Sequence, residues 1–457
     1  MKKINTPICD FVSRYAKSNT ERWHMPGHKG SGAIGVEALD ITEIAGADSL
    51  YEADGIIKES EDIASSLFGA HTFYSTEGSS QCIRAMLHLA KTQAWLQKKH
   101  PYVWAVRNAH KTFLSAVALL DIDVHWLYGN NEESYLSCSL SPCKLEQMLG
   151  ETTNLPTALY LTSPDYLGNV ADIAALAKVC HRYGILLLVD CAHGAYLKFL
   201  EPSLYPTDLG ADMCCSSAHK TLPVLTGGAY LHLAKNIDKN LIDAAKDALS
   251  LFGSTSPSYL ILQSLDAANA YLTEDCRENL ARTVARLDKL KKRLALHGYQ
   301  LVGNEPLKIT LATKSFGYTG TEIATRLREN NIECEFADAD FVVLMPPIDV
   351  GTEELAHLEM VLTSIPQKEP ITVTPPTPVK AERVLRIRYA LLWPSETVAV
   401  EDSIGRILAS PSVSCPPAVP ILMCGERIDE AAVRAFRYYG VKKLRVVIEL
   451  DKQLDKL

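Results

Sequence analysis

The sequence lacks any apolar run long enough to cross a membrane. No stretch of its 457 residues approaches about eighteen consecutive apolar side chains, and residues 1–5 show no apolar segment of the kind that begins a secretory signal peptide. Positive charge is also in deficit, because the net charge is −8, and this argues against a nucleic-acid-binding surface. We therefore expect neither a membrane nor a nucleic acid as a partner.

Cysteine spacing of the kind that holds a metal ion is missing too. The twelve cysteines form no CxxC pair and no Cys/His pattern typical of zinc, so the sequence predicts no metal site. Unpatterned thiols and the missing signal peptide together indicate reduced cysteines in the cytoplasm. The composition, 47% hydrophobic and 22% charged, is that of an ordinary globular chain with room for about two or three domains.

The sequence does contain a regular alternation of β-type and helical patterns. Helical patterns separate predicted strands at 71–75, 102–106, 158–161 and 185–189. This alternation predicts an α/β fold with a mostly parallel sheet flanked by helices. Ligands of such sheets bind beyond the carboxyl ends of the strands. Polar clusters follow at that edge, at 107–111, 163–166, 190–194 and 216–220.

The functional interpretation depends first on Asp190 and Lys220. Asp190 closes the apolar strand 185–189, and Lys220 follows the apolar run 209–213 and a short Ser/His stretch. Pyridoxal phosphate (PLP) requires a lysine amine that forms a Schiff base with its aldehyde, and a carboxylate that keeps its ring nitrogen protonated. Taken alone, Lys220 more often fits a solvated surface lysine, and Asp190 more often fits an aspartate that caps a turn at the end of a strand.

A phosphate site is predicted where the strand 71–75 leads into Gly78-Ser79-Ser80 and a helix. Glycine permits close approach, the hydroxyls donate, and the start of a helix offers free N–H groups. The alternative is an ordinary helix cap. Ser217 and His219 are expected near the same phosphate. A Ser/His hydrolase is disfavoured, because no G-x-S-x-G elbow is present.

Two other histidine-bearing stretches are candidates. His110 follows the strand 102–106 and is expected either to stack on the cofactor ring or simply to bond to the backbone. His193 shapes the turn after Asp190. The loop 22–30 crowds two histidines, a lysine and an arginine around Pro-Gly, which favours an anion or active-site contact as much as a surface loop.

We predict four segments along the chain. They are an N-terminal segment (1–55), a large PLP-binding domain (56–299), a small α/β domain (300–365) and a proline-linked C-terminal segment (366–457). In the third segment, strands are predicted near 332–336 and 341–345. In the fourth, a helix is predicted near 400–408.

Together, these motifs resemble those of the Orn/Lys/Arg decarboxylases, a family with the aspartate-aminotransferase-like fold. The matching stretches occur in family order over nearly the whole chain. They are PGHKG at 26–30, GSS at 78–80, RNAHK at 107–111, TSPDYLGNVADI at 162–173, DCAHG at 190–194, SAHKT at 217–221, TSPSY at 255–259, PSET at 394–397 and CPP at 415–417.

The resemblance implies a PLP-dependent enzyme of fold type I, with a seven-stranded-type sheet and a smaller α/β C-terminal domain. It implies that Lys220 carries PLP, that Asp190 pairs with the ring nitrogen and that His110 lies over the ring. The catalytic residues would be Lys220, Asp190, His110 and His193. Residues implied at the cofactor are Gly78, Ser79, Ser80, His110, Asp190, Ala192, His193, Ser217, His219 and Lys220.

The resemblance also implies a reaction and an assembly. The reaction is α-decarboxylation of arginine, lysine or ornithine to the amine and CO2, as in polyamine biosynthesis. Arginine is preferred by analogy with the short members of the family, since the large N-terminal wing domain of the long members is missing. The assembly is a cytoplasmic homodimer with active sites at the subunit interface.

Five positions depart from the family pattern and bear on the substrate rather than on PLP. Glu77 stands where the family commonly has asparagine, Cys191 where it usually has glutamate, and Gly227 where it commonly has glutamine. Cys415 stands where an aromatic residue is frequent, and Ala418 where glycine is frequent.

Two other functions stay open from the sequence. The first is a PLP enzyme of the same fold with another outcome, such as aminotransfer or β-elimination, because the fold does not determine which bond at the α-carbon breaks. The second is a non-catalytic scaffold that kept the fold.

Overall fold

The computed structural model describes residues 4–129, 134–411 and 417–448. The helices are α1 (Pro7–Ala16), α2 (Ile56–Phe68), α3 (Gly78–Leu96), α4 (Lys111–Leu120), α5 (Pro142–Glu151), α6 (Ile173–Arg182), α7 (Ala218–Thr221), α8 (Lys239–Asp243), α9 (Ala245–Ser250), α10 (Tyr259–Glu274), α11 (Cys276–His297), α12 (Gly320–Glu329), α13 (Thr352–Ser364), α14 (Ile387–Leu392) and α15 (Glu430–Tyr438). The strands are β1 (His71–Ser75), β2 (Tyr102–Val106), β3 (Asp123–Leu127), β4 (Ala158–Thr162), β5 (Leu186–Asp190), β6 (Met213–Ser216), β7 (Ala229–Leu233), β8 (Gln300–Val302), β9 (Ile309–Ala312), β10 (Phe336–Ala337), β11 (Phe341–Leu344), β12 (Ser395–Ala399) and β13 (Lys443–Val447).

The main sheet has seven strands in the order β1-β7-β6-β5-β4-β2-β3. Strand β5 runs parallel to β6, and β2 runs parallel to β3. Strand β7 is antiparallel to both of its neighbours, β1 and β6. Strands β4 to β7 are almost continuously buried, as expected for a sheet covered on both faces. The predicted α/β fold with a mostly parallel sheet is confirmed.

The first of two compact units takes the described residues 4–101, 152–160 and 172–281. Helix α3 packs on β6 and β7. The centroid of the Phe68 ring lies 4.6 Å from that of His232 and 5.1 Å from that of Tyr230. This aromatic cluster fills the core beside the sheet edge formed by β1 and β7.

The second compact unit takes residues 102–129, 134–151, 161–171, 282–411 and 417–448. It contains a four-stranded antiparallel sheet, β10-β11-β9-β8, and a two-stranded sheet, β12-β13. Tyr299 and Phe316 stack at a centroid distance of 4.0 Å in its core. The predicted small C-terminal α/β part is therefore present, and the four segment boundaries stay a prediction.

Local signals set several element ends. The first two strands of the chain occupy the predicted residues. Helix α2, which precedes β1, ends at Phe68 because Gly69 follows it in the left-handed region at φ 68°. Asp172 caps α6 by accepting a hydrogen bond from the Ala175 N–H, 3.0 Å away. In the described residues, no helix combines the length and the apolar character needed to cross a bilayer.

Two local predictions were wrong. The helix expected at 400–408 is only a single 3₁₀ turn, Val400–Asp402, because Gly405 turns into the left-handed region at φ 82°. The strand expected at 332–336 shrinks to Phe336–Ala337, the residues whose register partners on β11 are Val343 and Val342.

Candidate active site

Asp190 lies at the carboxyl end of the buried strand β5 and is 2% exposed. Its Oδ1 accepts a hydrogen bond from the Ala192 N–H at 3.2 Å, and its Oδ2 accepts one from the Tyr160 hydroxyl at 3.1 Å. Burial raises the pKa of Asp190, while the positive charge of Lys220 and these hydrogen bonds oppose the rise. The carboxylate is therefore held rigidly where a cationic group would stabilise it.

Lys220 lies in the one-turn helix α7 that follows β6, and its side chain is exposed. Its Nζ lies 2.8 Å from Nε2 of His193, which is 6% exposed. The two residues and Asp190 belong to the same unit, and the charge of Lys220 acts on Asp190. The structure thus brings together the amine, the imidazole and the carboxylate expected from the sequence.

The residues predicted to cradle a phosphate meet at the start of α3. The Ser217 hydroxyl donates to the Ser79 hydroxyl at 2.8 Å, so these two expected ligands lie side by side. Gly78 adopts φ 71°, and no atom lies within 4 Å of the place where a Cβ would stand. Ser80 follows in the first turn of the 19-residue helix. Hydroxyls, open space beside Gly78 and the N-terminal end of a helix are together a suitable environment for a phosphate.

His219 and Gly227 flank this cradle. Burial lowers the pKa of His219, whose Nδ1 lies 2.9 Å from the Gly228 carbonyl oxygen. Gly227 adopts φ 101°, and a Cβ there would lie 2.8 Å from the Thr76 carbonyl oxygen. The local backbone therefore requires glycine where the family commonly has glutamine.

His110 lies in the second unit, where it caps α4. Its Nδ1 accepts a hydrogen bond from the Thr112 N–H at 3.2 Å and lies 2.9 Å from the Thr112 hydroxyl. These contacts match the alternative in which the histidine bonds locally at a strand end. Its predicted place over the cofactor ring stays a prediction.

The residues around His110 are bound to the C-terminal part of the same unit. The Arg107 guanidinium donates to the carbonyl oxygens of Pro420 and Ile421 at 3.0 and 2.8 Å. The Lys111 N–H donates to the Ala418 carbonyl oxygen at 2.8 Å. Ala418 adopts φ 54°, a conformation that explains why glycine is frequent there in the family.

The other departures differ in setting. Glu77 stands at the N-cap position of α3 without a side-chain capping bond, and Cys191 is fully buried beside Asp190. Cys415 lies outside the described residues.

Sequence reasoning missed two neighbours of Asp190. The first is Tyr160 on β4, and the second is Cys215 on β6, whose Sγ lies 3.6 Å from Asp190 Oδ1. Cys215 is the register partner of Asp190 across β5 and β6. No local signal marks either residue, because each reaches Asp190 through strand order and register.

The residues present fit PLP. Lys220 offers an amine, Asp190 a buried carboxylate, and the turn around Ser79 and Ser217 a phosphate-binding donor set. In the described residues, no group of three or more His, Cys, Asp or Glu side chains is arranged to hold a metal ion. The site thus offers the groups that would bind an organic phosphate with an aldehyde and a basic ring nitrogen.

Comparisons with known proteins point to one family. A family model described as Orn/Lys/Arg decarboxylase, major domain, matches residues 6–304, and one described as Orn/Lys/Arg decarboxylase, C-terminal domain, matches residues 389–447.

Full-length relatives agree with these models. The uncharacterized protein YaaO of Bacillus subtilis (strain 168) is 32% identical over 94% of this chain and 93% of its own length. The arginine decarboxylase of the same organism is 30% identical over 94% of this chain and 92% of its own length. The lysine decarboxylase LdcF of Francisella novicida superposes with a TM-score of 0.79 at 14% identity, over 97% of this chain and 81% of that chain. At that identity, the superposition shows the fold.

Proposed function

The chain belongs to the Orn/Lys/Arg decarboxylases, a family of PLP-dependent amino-acid decarboxylases, and on that premise we propose that it removes the α-carboxyl group of a basic amino acid as CO2 and leaves the amine. The observation that carries the proposal is the contact of Lys220 with His193 beside the buried Asp190. Arginine is the preferred substrate, supported by the 30% identical arginine decarboxylase of Bacillus subtilis.

The residues have distinct proposed roles. Lys220 would hold the aldehyde carbon of PLP, Asp190 the ring nitrogen, and His110 the ring face. Residues proposed for the remaining contacts are Gly78, Ser79, Ser80, Ala192, His193, Ser217 and His219. When bound, PLP supplies an electron sink for the bond that breaks at the substrate α-carbon.

The chain's own residues prepare that chemistry. The buried carboxylate of Asp190 favours a proton on whatever basic nitrogen it meets. The His193 ring, 2.8 Å from Lys220 Nζ, can take a proton from that amine and return it. The hydroxyls of Ser79 and Ser217 would anchor the phosphate end of PLP. A cofactor anchored in this way would orient the bond to the substrate's α-carboxyl group before that bond breaks.

The assay that tests the proposal offers arginine, lysine and ornithine separately to the purified protein with added PLP. We expect CO2 and the matching amine from at least one of them, and a visible absorption band from bound PLP. Lys220→Ala should lose both the products and the band. Lys235→Ala changes another exposed lysine of the same unit and should keep both.

Other products would replace the proposal. Keto acid without CO2 would indicate aminotransfer, and cleavage of a β-substituent would indicate β-elimination. A protein that gives no band with PLP would be a scaffold.

We also propose a homodimer that acts in the cytoplasm, where the amine would enter polyamine biosynthesis. A group of apolar side chains in the N-terminal segment supports the dimer, because Trp23, Met25 and Ile34 are 89%, 65% and 82% exposed. Exposed apolar groups of this kind mark interaction surfaces, and a second copy is the partner that the family resemblance implies. Light scattering should give twice the chain mass, and Trp23→Ser with Ile34→Ser should lower it toward the monomer.

A further inference from the structure

The carboxylate of Asp190 has three donors around it in the part of the chain that the structure describes. The Ala192 N–H and the Cys215 thiol contact Oδ1 at 3.2 and 3.6 Å, and the Tyr160 hydroxyl contacts Oδ2 at 3.1 Å. An ionised carboxylate has about four acceptor positions, two on each oxygen. The donors therefore occupy both positions on Oδ1 and one on Oδ2, which leaves one position for a further N–H group.

Both side-chain donors stay protonated. Burial and the nearby charge of Asp190 raise the pKa of Tyr160 well above its ordinary value, and they do the same to the Cys215 thiol. Neither group therefore competes with Asp190 for negative charge. They act as permanent donors, which lower the free energy of the ionised carboxylate.

We propose that Tyr160 is a positioning residue for the cofactor: its hydroxyl occupies one side of Asp190 Oδ2, keeps the carboxylate ionised and non-rotating, and so directs the remaining acceptor position to the ring nitrogen of PLP. This inference rests on the proposed function only in taking Asp190 as the partner of that nitrogen. Cys215 supports Oδ1 in the same way through a weaker donor.

The test separates an effect on the ring nitrogen from general damage. PLP and its 1-deaza analogue, which has C–H in place of the ring nitrogen, are titrated into the apo-protein, and Kd is measured by absorbance or fluorescence. In Tyr160→Phe, we expect the Kd for PLP to rise about tenfold, equivalent to about 1.4 kcal/mol. The Kd for the analogue should rise less than about threefold, because it makes no N–H bond to Asp190.

Tyr205→Phe is the matched control. Tyr205 is as fully buried as Tyr160, and its hydroxyl also makes a hydrogen bond, to Ser216 at 2.6 Å. It does not contact Asp190, so the ratio of the two Kd values should stay as in the wild type. An equal loss of affinity for both ligands in Tyr160→Phe would overturn the inference and leave Tyr160 as a packing residue.

Variants at Cys215 keep the inference testable if Tyr160→Phe fails to fold. Cys215→Ala should weaken PLP selectively by about twofold, and Cys215→Ser, which restores a donor, should recover the wild-type ratio. Equal weakening of both ligands by Cys215→Ala would again overturn it.

The outcome is separable from that of the proposed function. A wild-type protein that prefers PLP over the analogue but forms no amine would refute the decarboxylase proposal and still support the role of Tyr160. Amine formation by the wild type, together with an equal loss of affinity for PLP and for the analogue in Tyr160→Phe, would support the decarboxylase proposal and refute the role of Tyr160.

Discussion

Lys220 in the first unit and Lys308 in the second unit are held in opposite ways. Lys308 is 3% exposed, and its Nζ lies 3.1 Å from Glu305 Oε2 and 3.2 Å from the Asp165 carbonyl oxygen. Lys220 is exposed, and its Nζ lies 2.8 Å from the His193 ring nitrogen.

The difference distinguishes a structural lysine from the lysine that is proposed to react. The Lys308 amine is held in an ion pair with a buried carboxylate and is therefore not available as a nucleophile. An imidazole neighbour can instead share or accept the proton. We therefore expect the burial of the lysine and the charge of its partner to decide which of the two lysines can react.

The largest expected effect comes from replacing Lys220 by arginine. In Lys220→Arg, we expect amine formation to fall at least about 1000-fold, because a guanidinium keeps its proton and is not a nucleophile. The free energy of unfolding should change by less than about 0.5 kcal/mol, since the side chain is exposed. Product assays and urea denaturation measure the two quantities. Activity within tenfold of the wild type would show that the charge alone suffices.

Lys308 should show the reverse behaviour. In Lys308→Met, we expect the free energy of unfolding to fall by about 3–5 kcal/mol, because Glu305 keeps a buried charge without its ammonium. Folded Lys308→Met protein should still give the visible band with PLP. The double variant with Glu305→Leu should regain most of the stability. A single variant as stable as the wild type would mean that the buried pair is dispensable.

The next largest expected effect is the dependence of stability on pH that arises from His232, a buried histidine with an uncharged hydrogen-bond partner. His232 is fully buried, its Nδ1 lies 2.9 Å from the Thr72 hydroxyl, and burial lowers its pKa to about 3. Below pH of about 6.5 the unfolded chain binds a proton that the folded protein does not bind, so stability falls as pH falls. Between pH 7 and 5 this costs about 2 kcal/mol.

His232→Gln isolates that cost. The decrease in unfolding free energy between pH 7 and 5 should be smaller in this variant than in the wild type by about 2 kcal/mol. Measurements at pH 8, where the histidine is neutral in both states, supply the baseline. An unchanged pH dependence would contradict the assignment.

The smallest expected effect is on the stability of the apo-protein, and it comes from the buried carboxylate of Asp190. Burial raises the pKa of Asp190, so the ionised form costs stability at pH values above that pKa, and the cost disappears as pH falls toward the ordinary carboxyl range. We therefore expect Asp190→Asn to stabilise the apo-protein by about 1 kcal/mol at pH 8 and to lose this gain near pH 4. The variant should bind PLP more weakly. A loss of apo-protein stability at pH 8 would show that Asp190, like Glu305, is a structural charge.

The side chains that lie at the ends of strands could be predicted from the sequence, whereas contacts between side chains of neighbouring strands could not. Asp190 and Lys220 follow apolar runs in a pattern of alternating strands and helices, and parallel strands bring their carboxyl ends to one edge. Tyr160 reaches Asp190 only because β4 and β5 belong to adjacent positions of the sheet order, which no local pattern specifies.

The same limit explains the errors near the C-terminus. The stretch 400–408 has apolar residues at helical spacing, and the left-handed Gly405 interrupts it. Helix α15, which begins after the capping residue Asp429, was not expected at all. Its apolar face gains stability only from a cluster that includes Val400, Leu408 and Leu444, distant residues whose meeting no local pattern reveals.

The bonds from Arg107 to Pro420 and Ile421 join residues more than 300 positions apart. They join the parts of the chain that lie before and after the proline-rich connector 366–378, and they do not require that connector to be intact. A protease cut in that connector would therefore divide the polypeptide into two fragments that remain associated. The stretch that carries His110 would then keep its anchor without a covalent link, through these hydrogen bonds, the ion pairs of Arg386 with Asp121 and Asp123, and the packing of α14 on α4.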